Sequence, residues 1–354
     1  MLYVLILVLL VLLSLIFSKS ISLVIIDIIA LAWLCISTPF LMDNAGYMQN
    51  YRLVITNANL AQEVTSKGWV FLSKLGLKFN LDYLQFKTIV FIFCMILLLI
   101  TTYRLVGTNY SFVFGIYIIY PALVDIVQIR FFLSLCIVIL GLSFFINDVK
   151  TGSVVYVICL ILATSIHNTS LIYSIFLILP LMKKYSKQIV KIIIVVDIIL
   201  IVMKNQVLAV VGNLATDKQQ QYFDGQLSLF KVAFFILIMI FVALIIYYLK
   251  EKNENEVSVK DKNIINAINN INIIILLLVP LVPIAYNFYR LERISWFMIY
   301  MLLAILLKYK VKIRIFKYNI SIYMLSISLA LAGFIILMLH YEPMIIETYP
   351  FFNK

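Results

Sequence analysis

The chain has 354 residues, 64% of them hydrophobic and only 12% charged, with mean hydropathy +1.10. Soluble domains run about 45–50% apolar and about 25% charged, and even a large globule buries only about three-quarters of its surface. This composition therefore excludes a water-soluble enzyme, a disordered chain and a nucleic-acid-binding domain. The formal charge of +12 is scattered in small groups between apolar runs, as in the cytoplasmic loops of a polytopic membrane protein.

A helix needs about 20 apolar residues to cross the hydrocarbon core. Apolar runs between polar breaks give about twelve spans in chain order. They are Leu2–Phe17, Ile21–Phe40, Thr88–Tyr103, Ser111–Val124, Phe131–Ile146, Ser153–Ile166, Thr169–Met182, Ile189–Met203, Leu229–Leu249, Ile264–Ala285, Ile294–Leu307 and Ile320–Leu339. The expected fold is all-α, a single transmembrane domain over residues 1–354. Met1–Phe17 reads as a span rather than a cleaved signal, since no basic residue precedes it and no small-x-small site follows.

Placing both termini outside gathers three basic groups on the cytoplasmic side: Lys183–Lys191, Lys250–Lys262 and Lys308–Lys317. Two short passes then meet at Ile166-His167-Asn168-Thr169, because one merged helix would turn the Lys308–Lys317 cluster outward. Leu41–Lys87 is the one large outer loop. Its middle, Asn59–Gly76, suits a helix lying in the interface with Trp69 at headgroup level. Leu249–Asn263 reads as a polar cytoplasmic linker.

Metal and nucleotide chemistry find little support. Cys35, Cys94, Cys136 and Cys159 lie inside apolar runs without CxxC spacing, and His167 and His340 form no HExxH pair. No GxxxxGK[ST] occurs, so hydrolysis of ATP is not expected. No cofactor is expected. Asp27 and Asp197 sit within apolar spans, where ionisable groups are candidates for proton coupling or for neutral structural carboxyls.

The remaining polar groups collect on the outer side in four places. Asp43-Asn44-Ala45-Gly46-Tyr47 runs on to Tyr51 and Arg52, a carboxylate beside two rings that could grip a sugar. Asp125 through Gln128 to Arg130 ends in a guanidinium at a helix start, a ready site for phosphate. His167-Asn168-Thr169-Ser170 sets a histidine among polar neighbours able to fix its tautomer. Tyr286 through Arg290, Glu292 and Arg293 places two arginines at i, i+3. Each group also has a bland account: a solvated turn, a snorkelling arginine, a structural histidine, and an arginine neutralised by Glu292. Together they fit transfer from a lipid-linked diphosphate, with arginines on the phosphates and His167 or Asp43 as the base.

The order of these motifs resembles the EpsG family, relatives of the Wzy-type bacterial polysaccharide polymerases. The matching pieces are Asp43 with Tyr47 and Tyr51, then Glu63 through Gly68 to Leu75. Gln128-Ile129-Arg130 with Leu133 and Ser134, and Ile166 through Ile172, are the more distinctive elements. The resemblance implies joining of undecaprenyl-diphosphate-linked repeat units at the outer face of the bacterial cytoplasmic membrane, into capsule, O-antigen or exopolysaccharide. It also implies a chain-length regulator and a flippase as pathway partners, and no nucleic acid. The site residues expected are His167, Arg130 and Asp43 for catalysis, with Tyr47, Tyr51, Arg52, Gln128, Arg290 and Arg293 on substrate. A flippase for the lipid-linked glycan, and a membrane acyltransferase of surface glycans, are the rival functions.

Overall fold

The computed structural model describes residues 2–38, 42–203, 206, 229–253, 255–283, 286–311, 313–315 and 318–348. It is 88% helical, which settles the all-α class. The helices are α1 (Leu2–Ile16), α2 (Ile21–Ile36), α3 (Met42–Thr56), α4 (Ala58–Val64), α5 (Lys67–Lys78), α6 (Tyr83–Val106), α7 (Tyr110–Ile119), α8 (Ala122–Val127), α9 (Ile129–Asn147) and α10 (Val149–Ile166). After a 3-10 helix (Asn168–Ile178) come α11 (Leu179–Val202), α12 (Leu229–Asn253) and α13 (Val259–Ile275). Two more 3-10 helices (Leu276–Leu281, Tyr286–Glu292) lead into α14 (Arg293–Lys308), and α15 (Ile322–Thr348) closes the described chain. Among the described residues the only strands are β1 (Ile313–Ile315) and β2 (Tyr318–Ile320), antiparallel with Arg314 opposite Asn319.

The chain forms two compact units, residues 1–174 with 303–354, and residues 175–302. In the first, α9 is the central pillar, buried along most of its length and packed against α6 and α10. Helices α6 and α9 run side by side in the same direction. Phe91 meets Phe132 at 5.8 Å near their starts, and Arg104 reaches Ser143 at 3.1 Å near their ends. The Arg104 guanidinium also lies 3.6 Å over the Phe144 ring, so its charge is shared with a π face. In the second unit, α13 packs against α11 and α12.

Among the described residues, five helical segments are long and apolar enough to cross a membrane: Tyr83–Val106, Ile129–Asn147, Val149–Ile166, Val232–Asn253 and Val259–Leu281. Shorter apolar helices cover Tyr3–Ile16, Ile21–Ile36, Tyr110–Ile119, Asn168–Met182 and Ile322–Ile335. Large side chains turn outward along several of them, such as Ile16, Ile29 and Ile161 in the first unit and Leu244 in the second, each at 60% exposure or more. Water does not tolerate apolar area on that scale, whereas lipid tails do. The protein is a multi-pass membrane protein.

Several expected elements come out differently. The segment expected as an outer loop, Leu41–Lys87, is largely helical, built from α3, α4 and α5. Local polar residues make this possible: Asn57 caps α4 by accepting from Leu60 N–H at 3.1 Å. Asp82 and Gln85 form a reciprocal capping box at 2.9 and 3.0 Å that starts α6. Trp69 does not face lipid or water along an open helix surface. It is 1% exposed, against the rings of Tyr47 and Phe86.

Ser111–Val124 is not one helix, because Pro121 carries no N–H and Tyr120 turns extended, dividing α7 from α8. The expected pass Thr169–Met182 is a 3-10 helix followed by the start of α11. Helix α11 then continues through the expected basic loop with a kink at Tyr185, since lysine and glutamine are good helix formers whose charges solvate easily. The linker Leu249–Asn263 shrinks to the few residues between α12 and α13. Asn253 donates to Leu249 O at 2.7 Å, and Ser258 accepts from Asp261 N–H at 3.2 Å. The basic run Lys308–Lys317 holds a β-hairpin strand that apolar periodicity had not signalled.

Candidate functional site

The candidate site grows from the start of α9. Gln128 closes α8 and opens α9: its N–H donates to Val124 O at 2.8 Å and its carbonyl accepts from Phe132 N–H at 2.9 Å. It is 1% exposed, so its place is structural as well as polar. Arg130 is therefore the second residue of a rigid, buried helix. Its guanidinium donates to Thr65 Oγ1 and lies 5.7 Å from the centre of the Tyr47 ring. Its Nε is buried with no hydrogen-bond partner among the described residues. Asp125, the competitor for its charge, forms no ion pair with it. That carboxylate accepts from the Tyr117 hydroxyl at 3.2 Å instead.

The end of α10 supplies the histidine. His167 is its C-cap, donating its N–H to Ala163 O at 2.8 Å while the backbone turns extended. Thr169 Oγ1 holds the ring at Nδ1 over 2.6 Å. The imidazole meets the Phe131 ring edge-on at 5.4 Å, which puts it beside the residue next to Arg130. One turn of hydroxyl and amide contacts then locks this corner: Ser66 Oγ donates to Asn168 Oδ1 at 3.0 Å across 102 residues of sequence.

Helix α5 brings the third wall by two close approaches. At Gly68 a Cβ would lie 2.5 Å from Ser165 Oγ and 2.6 Å from its carbonyl, so only glycine lets α5 touch the end of α10. At Gly76 a Cβ would lie 2.6 Å from the Phe86 ring, so the same helix also seats on α6. Between those contacts Trp69 is clamped. Its ring lies 6.2 Å from Tyr47 and 5.4 Å from Phe86.

The expected site residues thus divide. Arg130, His167 and Tyr47 come together in the first unit, and Tyr47 is half-buried. Tyr51 is 3% exposed, and its hydroxyl donates to Leu81 O at 2.9 Å. Burial and the charge of Asp82 push its phenol up from the usual range. Arg52 is exposed on α3. Asp43 belongs to α3, but its side chain lies outside the described residues. Arg290 and Arg293 belong to the second unit, where Arg293 is 2% exposed and its Nε donates to Arg290 O at 3.4 Å. Between them Glu292 is buried, and burial pushes its carboxyl up to about 8.

Thr65, Ser66 and Trp69 join the site without having been expected there. The Thr65-Ser66 pair directly before an apolar helix was a cap signal. Among the described residues no three His, Cys, Asp or Glu side chains gather as metal ligands. A guanidinium, an imidazole held by a hydroxyl, and an aromatic face within one corner can bind an anion, move a proton and stack on a sugar ring.

The family model of the EpsG family matches residues 23–353, nearly the whole chain. Neither a curated protein nor a solved structure matches it.

Proposed function

Since the chain belongs to the EpsG family of Wzy-like polysaccharide polymerases, we propose that it joins undecaprenyl-diphosphate-linked oligosaccharide repeat units at the outer face of the bacterial cytoplasmic membrane. The hydroxyl of one lipid-linked unit attacks the anomeric carbon of the growing glycan. A new glycosidic C–O bond forms as the bond to the diphosphate breaks, and undecaprenyl diphosphate leaves with the electron pair. The acceptor proton passes to His167. Arg130 holds the departing diphosphate, where negative charge builds in the transition state. Tyr47 stacks on a sugar ring beside it.

The observation that carries this reading is the arrangement at the start of α9. Arg130 is anchored by Thr65, and the next residue, Phe131, touches the ring of His167. An anion-holding group at the start of α9 and a proton-accepting group at the adjoining end of α10 are what transfer from a diphosphate needs. Arg290 and Arg293 are proposed as an anion-binding pair of the second unit, and Asp43 as a further base or sugar contact. About twelve passes with both termini outside, a flippase and a chain-length regulator belong to the same proposal.

The test is polymer length on cells carrying Arg130→Ala, Arg130→Lys or His167→Ala at normal protein level. Single repeat units in place of long chains are expected for all three. Arg130→Lys should fail because an ammonium cannot reproduce planar, two-point contact. Wild-type chain lengths in all three would refute the assignment.

A further inference from the structure

Lys87 takes no part in the site described so far, and its surroundings are unusual. It lies in the second turn of α6, 0% exposed, and its Nζ has no hydrogen-bond partner among the described residues. A buried ammonium without an anion is strongly disfavoured, so such a group marks a place where an anion belongs.

Three helix ends converge there. The thiol of Cys35, near the end of α2, is the titratable neighbour of Lys87. Tyr83, one turn earlier on the same face of α6, donates its hydroxyl to Asn44 Oδ1 at 2.9 Å, near the start of α3. Asn44 in turn donates to Thr38 O at 3.5 Å, just past α2. Lysine side chains on a helix lean toward its N-terminus, so Nζ is carried toward this junction, where the starts of α3 and α6 add their positive helix ends. Among the described residues two acids of the flanking helices have other partners. Asp82 caps α6 at Gln85, and Asp27 accepts from Ser14 at 2.8 Å.

A continuous row of rings leads from this junction to Arg130. Tyr83 meets Tyr51 at 5.9 Å, Tyr51 meets Phe86 at 5.0 Å, and Phe86 meets Trp69 at 5.4 Å. Trp69 meets Tyr47 at 6.2 Å, and Tyr47 lies under Arg130. Lys87 directly follows Phe86 of this row and stands one turn after Tyr83, while Arg130 lies over the last ring, so one aromatic wall within the same unit links the two cations. We infer that Lys87 is a second cationic site for a phosphoryl oxyanion, holding the diphosphate of a lipid-linked glycan at the top of α6. The inference rests on the polymerase reading for its ligand. Two lipid diphosphates take part in each transfer, one on the growing chain and one on the incoming unit, so two separated cations suit that chemistry.

The experiment is thermal unfolding of the full chain in nanodiscs, with undecaprenyl diphosphate or inorganic pyrophosphate as probe. Wild type is expected to gain stability with undecaprenyl diphosphate. Lys87→Met and Lys87→Gln are expected to unfold at a higher temperature than wild type without probe, because an unpaired buried charge is gone. They should also bind the probe at least tenfold more weakly. If pyrophosphate stabilises wild type in the same Lys87-dependent way, the oxyanion site stands and its ligand comes from solution. Lower stability of both variants with unchanged probe affinity would overturn the inference and mark Lys87 as a structural group. Equal binding by wild type and variants would overturn it while leaving the polymerase reading intact. No binding by wild type would overturn both.

Discussion

Both units bury polar atoms without hydrogen-bond partners, Arg130 Nε and Lys87 Nζ in the first among them, but they differ in what surrounds those atoms. In the first, polar side chains from distant parts of the sequence bind one another: Ser66 to Asn168, Arg130 to Thr65, Tyr83 to Asn44. In the second, Asn269 Oδ1, Asn272 Oδ1, Glu292 Oε1 and Ser295 Oγ are buried without hydrogen-bond partners among the described residues. A satisfied network fixes geometry, whereas an unsatisfied group stores a cost that protonation or a ligand can relieve. The long-range bonds of the first unit therefore hold the corner around Arg130 and His167 in place, while Arg130 Nε and Lys87 Nζ stay open to a ligand. The second should reveal itself through conditions, above all pH, more than through the loss of any one contact.

Breaking the first unit's network at its chemical centre should give the largest effect. His167→Ala should slow polymer formation by about 10²–10⁴-fold, the usual worth of a positioned acid–base group, as read from rates with the purified protein. Arg130→Lys should follow with a loss of about 10²–10³-fold in the same assay, because charge survives but aimed hydrogen bonding does not. Gly68→Ala comes next. Its new methyl group meets Ser165 backbone as well as side chain, so α5 and the end of α10 must part. A loss of about 1–3 kcal/mol is expected, measured by thermal unfolding, with activity reduced because the Ser66–Asn168 corner moves.

The second unit sharpens the contrast with the smallest effect. Glu292 binds its proton more tightly folded than unfolded, so the folded state holds more protons between about 4.5 and about 8. Stability should then fall as pH rises through that window and level off above it. Glu292→Gln should remove this slope in a series of unfolding measurements at stepped pH. A slope unchanged in Glu292→Gln would show that the carboxyl is not the group responsible.

Much of this was legible in the sequence, for clear reasons. Long apolar runs such as those within α6 and α9 announce themselves because lipid demands them. Arg130 and His167 stood out because charge and imidazole are rare among such runs. What the sequence hid depends on contacts between segments. Trp69 looks interfacial by its neighbours in the chain, and only the approach of α6 and α3 buries it. Tyr47 and Tyr51 look equivalent at a spacing of one turn, yet one faces Arg130 and the other spends its hydroxyl on Leu81. Lys87 read as the boundary of a loop because an exposed and a buried lysine share one letter. Pro121 divides an apolar run because it carries no N–H, a property that hydropathy does not register. The β-hairpin after α14 carries no periodicity long enough to detect.

The most direct measurement is a double-mutant comparison of polymerisation by the purified chain, using Arg130→Ala, His167→Ala and both together. Groups that serve one transition state lose their effect jointly. The double variant is therefore expected to be about as slow as the slower single variant. Losses that multiply would mean two independent sites, and undiminished rates in the single variants would mean that neither side chain takes part.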